Sequence, residues 1–170
     1  MGALILGWVG TQFSEWKKNQ WASTRERETR REAQRLGVLE KRNAFQRQTL
    51  LELQTAIADM MRATGAAHHA DQIQFRSSGR WDREPIGEEW NTKNYETRRL
   101  MNLMTVRVRD EGLREQVEKL GSFTSNCLLA QSPIEARSNL ALASDLFILV
   151  NQRIGEILRT LDDSDDELVK

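Results

Sequence analysis

Two histidines, His68 and His69, and one cysteine, Cys127, are the side chains of this 170-residue chain best suited to metal binding or nucleophilic chemistry. The histidines are adjacent, and neighbouring side chains on a helix diverge by about 100°, so the two rings do not converge on one ion. His68 shares a face with Gln72, and His69 with Ile73; neither pair is a ligand set. Helical di-metal carboxylate sites place Glu three residues before His, where this chain has Gly65 and Ala66. The histidines therefore read as ordinary polar residues near a helix end, and no metal is expected. Cys127 falls in an apolar row and reads as a small buried hydrophobe rather than a nucleophile; a single cysteine also excludes an internal disulfide. None of the phosphate-cradling or nucleophile-elbow patterns G-x-x-x-x-G-K, G-x-G-x-x-G and G-x-S-x-G occurs. Carboxylates are plentiful, but most lie opposite the apolar stripes and do not form a pair in a dry pocket. The expectation is a non-enzymatic chain with no catalytic residue, no cofactor and no evident small-molecule substrate.

The elements that carry these residues are helices. The chain is 39% hydrophobic and 29% charged with only two prolines, Pro85 and Pro133, which suits long helices and one modest domain. Leu36, Leu39, Asn43, Gln46, Leu50, Leu53, Ile57, Met60 and Thr64 alternate at three- and four-residue spacing, the signature of one helix face. Ser77 to Asn91, with Gly79, Pro85 and Gly87, reads as a long connection. Its Trp81 and Trp90 make it a possible recognition loop, or else a lid of packed indoles over a bundle end. A second helix is expected from about Thr92 to Val106, with Tyr95, Leu100, Leu103 and Met104 inward. Asp110 caps a third, carrying Leu113, Val117, Leu120, Thr124 and Cys127 on one face. Ser132, Pro133 and Glu135 form the clearest start signal in the chain. The fourth helix then holds Leu140, Ala143, Phe147, Val150, Ile154, Ile157 and Leu161 at unbroken spacing. The fold class is all-α: a long N-terminal helix continuing into an antiparallel four-helix up-down bundle. The expected divisions are a short apolar helix at 1–16, a charged helical stalk at 17–35, the bundle at 36–162 and an acidic, disordered tail at 163–170.

The N-terminal stretch points to a partner of a different kind. Leu4, Ile5, Leu6, Trp8, Val9, Phe13 and Trp16 are candidates for membrane or oligomer contact, and Lys17 and Lys18 for lipid headgroups. A helix from Ala3 to Trp16 rises roughly 21 Å against a hydrocarbon core of about 30 Å, so length favours partial insertion over a clean span. Trp8, Trp16 and Trp21 sit where interfacial aromatics sit, and the positive charges that follow place the body on the cytoplasmic side. Leu6, Val9, Phe13 and Trp16 are equally spaced for an oligomeric seam. Ser23 to Arg35 is almost devoid of apolar side chains and reads as a solvated helix, with Glu26 and Arg30 one turn apart. Net charge is zero, so a nucleic-acid role is not favoured.

Five stretches together resemble a known layout: the G-W-V-G start, R-E-R-E-T-R-R-E from Arg25, E-K-R-N-A-F-Q-R from Glu40, V-R-D-E-G-L-R-E-Q-V from Val108, and I-G-E-I-L-R-T-L from Ile154. In order and composition they resemble uncharacterised bacterial proteins with one N-terminal membrane helix and a cytoplasmic helical bundle. The apolar run here is shorter than in that group. The resemblance implies a location and brings no catalytic residues.

The functional expectation is a membrane-associated scaffold or protein-interaction module, a homo-oligomer or bound to another protein, with its bundle in the cytoplasm. The alternatives are a membrane-perturbing effector, such as a pore-forming toxin or defence component, and a soluble cytoplasmic protein that binds nucleic acid through Lys17 to Arg47.

Overall fold

The computed structural model describes residues 3–81 and 88–169, with side chains at 21, 25–81 and 92–166. They form four helices and no strand: α1 (Ala3–Ser78), α2 (Glu88–Thr105), α3 (Glu111–Leu129) and α4 (Pro133–Val169). By contact density the chain divides into Met1–Arg42 and Asn43–Lys170. In the first unit the described side chains of α1, Trp21 and those from Arg25 to Arg42, are exposed except for the half-buried Gly37. Arg30 pairs with Glu26 at 2.6 Å, and Thr29 Oγ1 donates to the Arg25 carbonyl. Residues of high helix propensity sustain such a segment without a buried face.

The second unit is a helical bundle. Leu50, Leu53, Ile57 and Met60 of α1 are fully buried with Leu113, Val117 and Leu120 of α3 and Ala143, Val150 and Ile154 of α4. Met101 and Met104 of α2 and Val108 of the following turn close the cluster. Each large side chain removed from water contributes about 1.5–3 kcal/mol. Phe147, Ile157 and Leu161 are half-buried against the same core. Burial begins at Asn43, later than the stripe expected from Leu36: Leu36 is 40% exposed, and Val38 and Leu39 are exposed as well.

The ends of the helices follow local chemistry. Gly79 takes φ +72°, a left-handed conformation open to glycine, and its N–H bonds the Phe75 carbonyl at 2.8 Å, closing α1. Asp110 caps α3 by accepting the Leu113 N–H at 2.8 Å. At α4 the Glu135 N–H donates to Ser132 Oγ, and the Glu135 carboxylate reaches back to the Gln131 N–H. This is a capping box displaced by one residue.

Three boundaries differ from expectation. The connection between α1 and α2 is shorter than Ser77–Asn91, because α1 runs to Ser78 and α2 opens at Glu88, which puts Trp90 on a helix. Helix α4 does not stop near Leu161 but runs to Val169, through the acidic segment expected to be disordered. There Asp162 and Asp165 pair with Arg47 at 2.7 and 2.9 Å, and Asn43 donates to Asp165 and Ser164. The inward face of α2 is also rotated from the expected one. Tyr95 is 71% exposed and Leu100 and Leu103 are exposed, whereas Met101, Met104 and Thr105 are buried. Asn94, Arg98, Met101 and Thr105 form the inner row, and its polar members concealed it from a count of apolar residues.

Candidate functional site

Polar side chains that enter the bundle are the natural place to look for chemistry, and most of them hold backbone. Gln46, on the inner face of α1, donates from Nε2 to the Arg107 carbonyl at 2.8 Å and accepts the Arg109 N–H on Oε1 at 3.0 Å. One amide thereby satisfies both ends of the turn between α2 and α3, whose backbone groups have no helix to bond. Beside it, Gln46, Leu50, Val108, Asp110, Ile157 and Leu161 line a shallow recess. Asp110 is its one carboxylate. Arg153 donates to it at 2.7 Å, and that bond, with the cap to Leu113, holds the carboxyl below its ordinary range despite partial burial. An acid so committed is a poor proton acceptor, so the recess has the geometry of a latch rather than of general base catalysis. Arg153 also pairs with Glu156, and Arg114 with Glu111.

Arg98 is the inward cation of α2. It donates to the Gly121 carbonyl, to Ser125 Oγ and, at 3.5 Å, to Thr124 Oγ1. No carboxylate among the described residues meets it, and burial lowers its pKa. Gly121 lets the two helices approach here: a Cβ on it stands 3.2 Å from Met101 Cε. The guanidinium thus ties α2 to α3 through neutral acceptors.

The last polar cluster closes the opposite end of the bundle. His68, read from sequence as an ordinary polar residue near a helix end, is 7% exposed. It shares a 3.0 Å hydrogen bond with Gln72, while its Nδ1 is buried without a hydrogen-bond partner. Burial lowers its pKa, as do the nearby charges of Arg137 and His69, against the pull of Asp71. Trp81 lies over this end, its ring centroid 6.4 Å from His68 and 5.9 Å edge-on from Phe75, and its Nε1 donates to the Ala130 carbonyl at 3.1 Å. Beneath it Cys127, Ala130 and Ala136 form a second small core, with Leu140 packed against them. Cys127 is buried, in the place the sequence assigned it. Trp81, read from sequence as part of a recognition loop or a lid, packs against this small core, while residues 82–87 of that connection lie outside the described residues.

The other sequence candidates fall elsewhere. Side chains of Leu4, Ile5, Leu6, Trp8, Val9, Phe13, Trp16, Lys17, Lys18 and Trp90 lie outside the described residues. Among the described residues no helix is long and apolar enough to cross a membrane, and no group of three metal-ligating side chains gathers.

A feature that sequence reading missed is the outward face of α4. Ile134 is 82% exposed, Ala141 and Ile148 follow at intervals of seven, and Leu142 and Leu149 flank them, also exposed. The seven-residue recurrence was legible; the stronger inward stripe of the same helix masked it. No family model, curated protein or solved structure matches the chain.

Proposed function

We propose that the chain is a non-enzymatic scaffold, an interaction module that meets a second copy of itself or another protein through its bundle. Its apolar N-terminal end then rests on a membrane surface, with the bundle on the cytoplasmic side. The observation that carries the reading is the outward stripe of α4, Ile134, Leu142, Ile148 and Leu149, left in water after the helix has already buried its other face. Apolar side chains scattered singly need no explanation, but a row at seven-residue spacing is the geometry of helix–helix contact. Gln46 and Arg98 of the interior are meanwhile occupied, the first in holding the turn before α3 and the second in tying α2 to α3.

The same reading takes the four helices up, down, up and down. Three sets of contacts support it. Asn43 and Gln54 of α1 meet Asp165 and Asn151 of α4 in reverse order. Arg98 and Met101 of α2 meet Ser125 and Gly121 of α3, again reversed. Gln46 and Met60 of α1 meet Arg109 and Thr124 in the same order.

Flotation with anionic vesicles tests the membrane half. The full chain is expected to float with the vesicles, Leu6→Glu to remain at the bottom, and Ile148→Glu to float as the parent does. A parent chain that stays at the bottom refutes it.

A further inference from the structure

We propose that His68 and Trp81 form an acid-released latch, in which charging the imidazole lifts the indole from the bundle end and uncovers the small core around Cys127. The geometry supplies each part. The ring is held inside, 93% removed from solvent, by packing against Trp81 and by the one bond to Gln72. A neutral imidazole needs one donor and one acceptor; whichever tautomer it takes, only one ring nitrogen is matched here. An imidazolium donates from both nitrogens, so charging in place strands a buried N–H and a buried charge together. Trp81 confines it, and Trp81 is tied to the bundle by its indole hydrogen bond to Ala130 and by packing on Phe75 and the small core.

The surrounding charges set the direction. On α1, Asp71 favours the charged ring and His69 opposes it; on α4, Arg137 opposes it; α2 and α3 contribute no described charge, and the titratable neighbour in the covered core is the Cys127 thiol. Burial outweighs these effects and lowers the pKa of the ring. A group whose pKa is lower closed than open stabilises the closed form above its ordinary value, near 6.5, and that stability is lost as pH falls through the closed-state value. The latch is therefore held most firmly above the ring's ordinary value and weakens as the solution is made acid. The proposal is independent of the scaffold reading, since it concerns one end of the bundle and invokes no partner.

The single cysteine makes the opening measurable. The full chain is reacted with 4,4′-dithiodipyridine at pH values from about 7.5 to about 5, and each rate is divided by that of the urea-unfolded chain at the same pH. This normalised rate is expected to rise on acidification, about tenfold for each unit by which the ring's pKa differs between open and closed forms. Helicity by circular dichroism should stay constant across the same range. His68→Gln, which keeps an amide near Gln72 but does not titrate, should label slowly at every pH. His69→Gln, which removes a charge that opposes the ring's, should keep the parent's rise, displaced slightly toward higher pH. Trp81→Ala should label fast throughout. A flat parent profile, a rise retained in His68→Gln, slow labelling of Trp81→Ala, or loss of helicity in step with labelling each overturns the latch. If His68→Gln labels fast at all pH because it packs poorly, the decision passes to the parent. Its His68 resonances must then titrate at the labelling midpoint, and separate midpoints reject the proposal.

Discussion

A glutamine amide turned toward a helical core is costly unless both of its ends are matched, and at Gln46 both are. The partners are the carbonyl of Arg107 and the N–H of Arg109, groups that the turn leaves without helical bonds. Gln46→Ala strands both backbone groups, and we expect a loss of about 1–3 kcal/mol in urea unfolding. Asp110 makes a pH-dependent contribution of known sign. Arg153 and the helix cap hold its folded pKa below the ordinary carboxylate value, so its stabilisation is complete above about pH 4 and fades as pH falls through the folded value. Asp110→Asn, which can still cap, should flatten that acid limb of the stability profile, measured by thermal unfolding between about pH 5 and pH 2. At this scale the sequence was only half legible. Three-and-four counting placed Asn43, Gln46 and Thr64 on the inner face, but their partners are 61 residues or more away for Gln46 and farther for Asn43, and local spacing carries no such information. His68 shows the same limit: nothing local marks a histidine that a tryptophan thirteen positions on will cover.

Helices differ in how openly they declare their inner face. In α4 the start signals and the apolar row agree, from Ser132 and Pro133 to Ile154, and the observed helix follows them. In α2 Arg98 is bonded to α3 and Asn94 is half-buried on the same side of the helix, so the apolar residues Tyr95, Leu100 and Leu103 pointed to the wrong side. The acidic end of α4 was misjudged for a related reason: Asp162 and Asp165 look solvated in sequence, yet Arg47 and Asn43 stand opposite them. In α1 the stripe is continuous in sequence from Leu36, but burial starts at Asn43. The contrast gives a prediction for a matched pair of substitutions. Ile154→Ala removes a fully buried side chain and should cost about 2–5 kcal/mol. Leu36→Ala, in the exposed part of the stripe, should change stability by no more than about 0.5 kcal/mol. Equal effects in chemical unfolding contradict the assignment of the core boundary.

For the molecule as a whole, the interior accounts for stability, and the outer face of α4 is where we propose that association takes place. Inside, the apolar side chains pack together, Gln46 and the caps engage backbone that the helices leave over, and Arg98 ties α2 to α3. The outward row from Ile134 to Leu149 has no such explanation among the described residues. The measurement that bears most directly on the scaffold is the solution mass of the full chain by light scattering, beside that of Ile148→Glu/Leu149→Glu. The scaffold reading, with a second copy as partner, predicts a concentration-dependent mass at least twice the monomer's that falls to one monomer in the double variant while helicity is kept. A parent chain that is monomeric at every concentration, or an assembly indifferent to the two glutamates, contradicts it.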